Sequence, residues 1–255
     1  MTPCKKHTFS DDILADHDAI ALSGLIRDRQ VTAAELIDAA IQRAELIEPS
    51  INAIVVDDFQ RARDRAAKTL SGEFAGVPTF IKDMTDVEGL PTRFGSEALY
   101  RSAPAKRTHR IAQQMFDMGL VSIGKSTMPD FGFTPSTEFP NSEPTRNPWN
   151  LDHSVGGSSG GSAALVAAGV VPIANAADGG GSIRIPAAAC GLVGLKPTRG
   201  RMPKAQADEP FVGLVTDGVV TRSVRDTALF IAEAERLDPN KKLPAVGHVQ
   251  RPLER

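Results

Sequence analysis

Apolar residues from position 32 onward recur at helical spacing, with Leu36, Ile37, Ala40, Ile41 and Ala44 on one face and charged residues between them. Thr32 followed three residues later by Glu35 is a capping box, so a helix opens at Thr32 and buries one face as scaffold. An earlier helix is predicted from about Ala15 to Arg29. Ala53-Ile54-Val55-Val56 reads as a short strand, and a charged helix follows from Arg61 to Leu70. Val77-Pro78-Thr79-Phe80-Ile81 reads as a buried strand closed by the polar pair Lys82-Asp83. Arg107 to Leu120 is helical in pattern and Val121 to Ile123 strand-like, which gives the rhythm of an α/β domain with covered sheet faces.

From Ser154 to Gly200 glycine, alanine and serine displace most charges. The segment is too apolar for a linker. It predicts a glycine loop, a helix over Ser162 to Ala168, a strand over Val170 to Ile173, and a second glycine loop before Ser182. Ser223 with Asp226 forms a further capping box for a helix to about Glu235. Pro239, Pro244 and Pro252 then punctuate a charged stretch, so the division is one domain over residues 1–238 and an irregular tail over 239–255.

Composition narrows the function. With 255 residues and 41% apolar content the chain buries a substantial core. Lys plus Arg total 29 against 31 Asp plus Glu, and this balance gives no attraction for nucleic acid. Cys4 and Cys190 stand far apart, which excludes a disulfide framework and a paired-cysteine zinc site and points to a reducing compartment. Met1 to Asp12 lacks a signal-like apolar run and no stretch has membrane-spanning length, so the reading is a soluble, cytoplasmic protein with no membrane partner.

The glycine loops have an ordinary explanation in tight turns and close packing. As phosphate cradles they fail, because neither is followed by the Lys-Ser or Lys-Thr of a P-loop. Gly156-Gly157-Ser158-Ser159-Gly160 matches the G-x-S-x-G nucleophile elbow, yet His248 is the only histidine after Ser158 and lies in the tail. A buried, neutral lysine is an alternative activator, since desolvation lowers an ammonium pKa by up to several units. Lys82 follows an apolar strand and is the best candidate, against the competing reading of a surface lysine at a strand end. Ser122 and Lys125 also match S-x-x-K, but they fall on a strand and turn without the S-D-N or K-T-G partners, and the match is set aside.

Beyond single loops, the ordered set Gly156-Gly157-Ser158-Ser159-Gly160-Gly161-Ser162, Asp178-Gly179-Gly180-Gly181-Ser182-Ile183-Arg184-Ile185-Pro186, Cys190-Gly191 and Gly194-Leu195-Lys196-Pro197-Thr198 resembles the amidase signature family. Val77 to Asp83, Gly124-Lys125 with Met128-Pro129, and Asn147-Pro148-Trp149 extend the likeness over nearly the whole chain. The resemblance implies a mixed β-sheet covered by helices, incomplete at the carboxyl-terminal end. It also implies a triad of Lys82, Ser158 and Ser182 with a cis peptide at Gly157-Ser158, and an oxyanion-binding loop at Gly179, Gly180 and Gly181. No metal or organic cofactor enters that scheme.

Two departures bear on it. Ala177 and Gly179 stand where many members have a hydroxyl and a bulkier residue, which touches substrate choice more than reaction type. Family members are also longer, and the part that completes their sheet has no counterpart after Arg255, so exposed apolar surface invites homo-oligomerisation or other association. Three functions therefore stand: an amidase acting on a small-molecule amide, a truncated and inactive amidase-like protein, and a non-catalytic binding or scaffold subunit. Thr145 to Asn150 is similar to hydrolases of cyclic amide oligomers, and a glutaminase subunit of a tRNA amidotransferase is the in-family alternative.

Overall fold

The computed structural model describes residues 5–202, 213–238 and 243–244. The predicted scaffold helix is α2 (Ala33–Ile51), which follows α1 (Ala19–Arg27). Both halves of its capping box form, Glu35 N–H donating to the Thr32 hydroxyl at 3.2 Å and Thr32 N–H to the Glu35 carboxylate at 2.8 Å. All five residues of its predicted apolar face are buried. The first helix is shorter than the predicted 15–29 span. Asp12 takes the N–H groups of Leu14 and Ala15 in a local turn, and the Asp18 side chain caps Ala21, so helix begins only at Ala19.

Strand β1 (Ile54–Asp57), α3 (Phe59–Ala66), β2 (Pro78–Lys82), α4 (Arg110–Asp117) and β3 (Val121–Ser126) follow in the predicted order. The central β3 pairs antiparallel with β1 and parallel with β2, placing Lys82 opposite Ser126. After a small hairpin of β4 (Arg146–Asn147) and β5 (Asn150–Ser154) comes α5 (Gly160–Ala167), buried along its whole length. Its two opening glycines are required by contact: a Cβ on Gly160 would lie 2.1 Å from the Thr137 hydroxyl, and one on Gly161 would lie 2.4 Å from the Thr127 nitrogen.

The next strand departs from expectation. Val170 and Val171 lie in the turn after α5, and β6 runs over Ile173–Asp178, rich in alanine and fully buried. The β-branched run loses to tertiary context, which overrides local strand preference. After α6 (Arg184–Ala189) and β7 (Val193–Gly194), β8 (Thr216–Thr221) pairs antiparallel with both β6 and β7. Strand β2 runs beside β6, so the two three-stranded sheets meet along a seam to form the mixed, helix-covered architecture.

The last helix, α7 (Val224–Leu237), has half of the predicted capping box. Asp226 N–H donates to the Ser223 hydroxyl at 3.2 Å, but the Asp226 carboxylate turns away to accept the N–H groups of Ala19 and Ile20 at 2.9 and 3.0 Å. It caps α1 instead of its own helix. The predicted tail, residues 239–255, lies outside the described residues except for 243–244. No helix among the described residues is long and apolar enough to cross a membrane.

Candidate active site

Lys82 ends β2 at the seam, and its side chain is only 1% exposed. Its ammonium lies 2.8 Å from Ser158 Oγ and 3.0 Å from Ser159 Oγ. Burial lowers its pKa to about 7, against the opposing pull of the Asp217 and Asp178 carboxylates. The surface-lysine alternative is thereby excluded. The peptide bond between Gly157 and Ser158 is cis, in agreement with the family resemblance. Gly132 packs so closely that a Cβ there would lie 3.2 Å from Ser158 Oγ.

Ser182 sits half-buried after the second glycine loop, which follows β6. Its carbonyl accepts the Ser159 N–H at 3.2 Å, so the two serine loops are tied by a backbone bond. The Ser182 hydroxyl itself has no hydrogen-bond partner among the described residues, Ser158 included. The structure thus joins Lys82 directly to Ser158 and brings the Ser182 loop alongside without completing the hydroxyl-to-hydroxyl link.

The loop is shaped by Asp178, buried at the end of β6. Its carboxylate accepts N–H groups from Gly181 at 2.6 Å, Ile183 at 3.2 Å and Arg184 at 3.4 Å, and both Nε and Nη2 of Arg184 at 2.8 and 3.0 Å. Burial raises its pKa, but Arg184 and these N–H donors outweigh burial and bring it down to about 2. Because the Gly181 N–H is engaged by Asp178, the loop N–H groups without a partner among the described residues are those of Gly179, Gly180 and Ser182. Among the described residues nothing lies within 4 Å of where a Gly180 Cβ would be, whereas Gly179 faces Val215.

Three contributors carried no role in the sequence reading. Ser159 bridges Lys82 to the backbone of Ala177 at 3.3 Å; its only sequence signal is a second hydroxyl beside Ser158. Asp178 and Asn175 are the others, the first visible only as part of a motif. Of the discarded S-x-x-K pair, Ser122 donates to the Gly124 carbonyl while Lys125 forms a fully buried ion pair with Asp83 at 2.8 Å. Cys190 is inert in this setting, its thiol pushed up to about 12 by burial.

The family model described as Amidase matches residues 35–254. The chain belongs to the amidase family. A putative amidase, AmiC, of Mycobacterium tuberculosis is 51% identical over 97% of this chain and 53% of its own length. The 6-aminohexanoate-cyclic-dimer hydrolase of Paenarthrobacter ureafaciens is 41% identical over 84% of this chain and 44% of that protein. Among solved amidase signature structures, a bacterial aryl acylamidase superposes with a TM-score of 0.81 at 34% identity, covering 90% of this chain and 50% of that one. The chain spans about half the length of the curated relatives it matches.

Proposed function

We propose that this amidase-family chain hydrolyses the carbon–nitrogen bond of a small amide through an acyl-enzyme on Ser182. The observation that carries the reading is the 2.8 Å contact between Ser158 and a buried Lys82 whose pKa lies at about 7. Near neutral pH a large fraction of Lys82 is the free amine, whose lone pair accepts the Ser158 proton. Ser158 in turn takes the Ser182 proton as Ser182 Oγ attacks the amide carbon. The open N–H groups of Gly179, Gly180 and Ser182 face the developing oxyanion, and losing one such donor costs about 100–1,000-fold. Gly181 serves the loop by its left-handed φ of 122° and its bond to Asp178. Ser158 returns a proton to the departing nitrogen, and water then releases the carboxylate.

The 6-aminohexanoate-cyclic-dimer hydrolase and the aryl acylamidase support uncharged amides with apolar or aromatic parts as substrates. Phe133, 88% exposed, and half-exposed Phe131 flank Gly132 and offer apolar surface for such a group or for a second copy of the chain. The cysteine content fits a cytoplasmic, reducing location.

The test is labelling with a fluorophosphonate probe across pH, followed by a panel of anilides, linear amides and cyclic amides. Labelling confined to Ser182 and rising through about pH 7 is the expected result. A second reading is favoured by the missing Ser182-to-Ser158 hydrogen bond: an amide-binding subunit without turnover. Saturable amide binding with an unlabelled Ser182 would establish that reading and overturn the first.

A further inference from the structure

The seam between the two sheets has an unusual chemistry. No backbone ladder joins β2 to β6, although they run side by side, and side chains make the connection instead. Thr79 Oγ donates to the Ile173 carbonyl at 2.9 Å. At the other end Asn175, completely buried in β6, turns its carboxamide into the seam. Its Oδ1 accepts the backbone N–H of Lys82 at 3.2 Å and the Thr85 hydroxyl at 3.3 Å. Its Nδ2 donates to the Gly218 carbonyl on β8 at 3.4 Å, and its own carbonyl accepts the Ser162 hydroxyl at 2.6 Å.

A buried carboxamide is costly unless its groups are paired, and here every pairing is to a different element. Strand β6 carries the Ser182 loop at its end, while β2 carries Lys82. Thr79 and Asn175 therefore both tie the two strands, and of the two it is Asn175 that bonds the backbone at Lys82 itself. Ser159 adds a further tie, from Lys82 Nζ to Ala177, but acts on the tip of the side chain and not on its root. An apolar residue at 175 would leave the Lys82 N–H unsatisfied and let the strands shift.

We propose that Asn175 is a positioning residue that sets the reach of Lys82 to Ser158. The inference rests on reading Lys82 as the base. Because a displacement of about 1 Å costs about 100-fold in rate, Asn175→Leu lowers Ser182 labelling and kcat about 100-fold per folded molecule, with KM little changed. The pH midpoint stays near 7, because the burial that sets it is retained. Asn175→Asp keeps an oxygen facing the Lys82 N–H and recovers the rate to within about tenfold of wild type.

The experiment measures probe labelling, kcat and KM on the full chain for wild type, Asn175→Leu, Asn175→Asp and Lys82→Ala, normalised to folded protein by circular dichroism. Asn175→Thr, which also lacks an acceptor of sufficient reach, replaces the Leu variant should that one not fold. A folded Leu or Thr variant with wild-type kcat overturns the proposal, as does equal impairment of the Asp and apolar variants. Wild-type labelling that persists in Lys82→Ala instead overturns the base assignment, and the positioning role with it.

Discussion

Replacing Lys82 with Met separates what the site costs the fold from what it gives to chemistry. The side chains have similar volume, so the change removes the amine with little repacking. In the folded chain the Lys82 pKa lies at about 7 instead of 10.5, a shift equivalent to about 5 kcal/mol carried by the native state when the ammonium is charged. Loss of the two hydrogen bonds to Ser158 and Ser159 returns about 1 kcal/mol each. The Met variant should thus be about 3 kcal/mol more stable than wild type at pH 6. Between pH 7 and 10.5 the unfolded wild-type chain holds a proton that the native chain has released. Wild-type stability therefore climbs by about 1.4 kcal/mol per pH unit across that window. The two curves should cross near about pH 9, beyond which the Met variant is the weaker. Urea unfolding of both chains at one-unit steps from pH 6 to 10 measures the difference, in which the titrations common to both cancel. A difference that does not change with pH would refute the depressed pKa and the mechanism built on it.

Lys82→Arg should show no labelling at any pH up to 10, since guanidinium stays charged and cannot act as base. Ser182→Ala should abolish both acylation and turnover, while Ser158→Ala leaves weak residual acylation; time courses of probe incorporation distinguish them. Asp178→Ala should slow labelling at least about tenfold by releasing the Gly181, Ile183 and Arg184 N–H groups, with far-ultraviolet circular dichroism unchanged.

The local signals in the sequence were the dependable ones. The start and buried face of helix α2 were legible because its capping box and apolar stripe lie within one short window. Lys82 was legible as a candidate because an apolar strand delivers it inward, and its partner Ser158 was legible through the ordered family motifs. Strand β6 was missed because alanine has little strand preference of its own, and the neighbouring valines drew the assignment. Asp226 was assigned to its own helix because the nearest N-cap was the visible one, whereas its partners are at Ala19 and Ile20. Asn175 belongs to the same class: its bond to Lys82 spans 93 positions, and nothing within a strand-length window announces it.

The Asp226 bridge also imposes a schedule on biosynthesis. The first turn of α1 emerges early, yet the carboxylate that receives its N–H groups follows 207 positions later. At ~5–20 residues per second, ribosomes need ~10–40 s to deliver it. Throughout that interval Asp18 is the side-chain cap at the start of α1, and the Asp226 bonds wait on the emergence of α7. The first turn of α1 therefore reaches its native bonding only once residue 226 has emerged, and a pause placed just before that residue would lengthen the time during which the turn is open to chaperones and proteases.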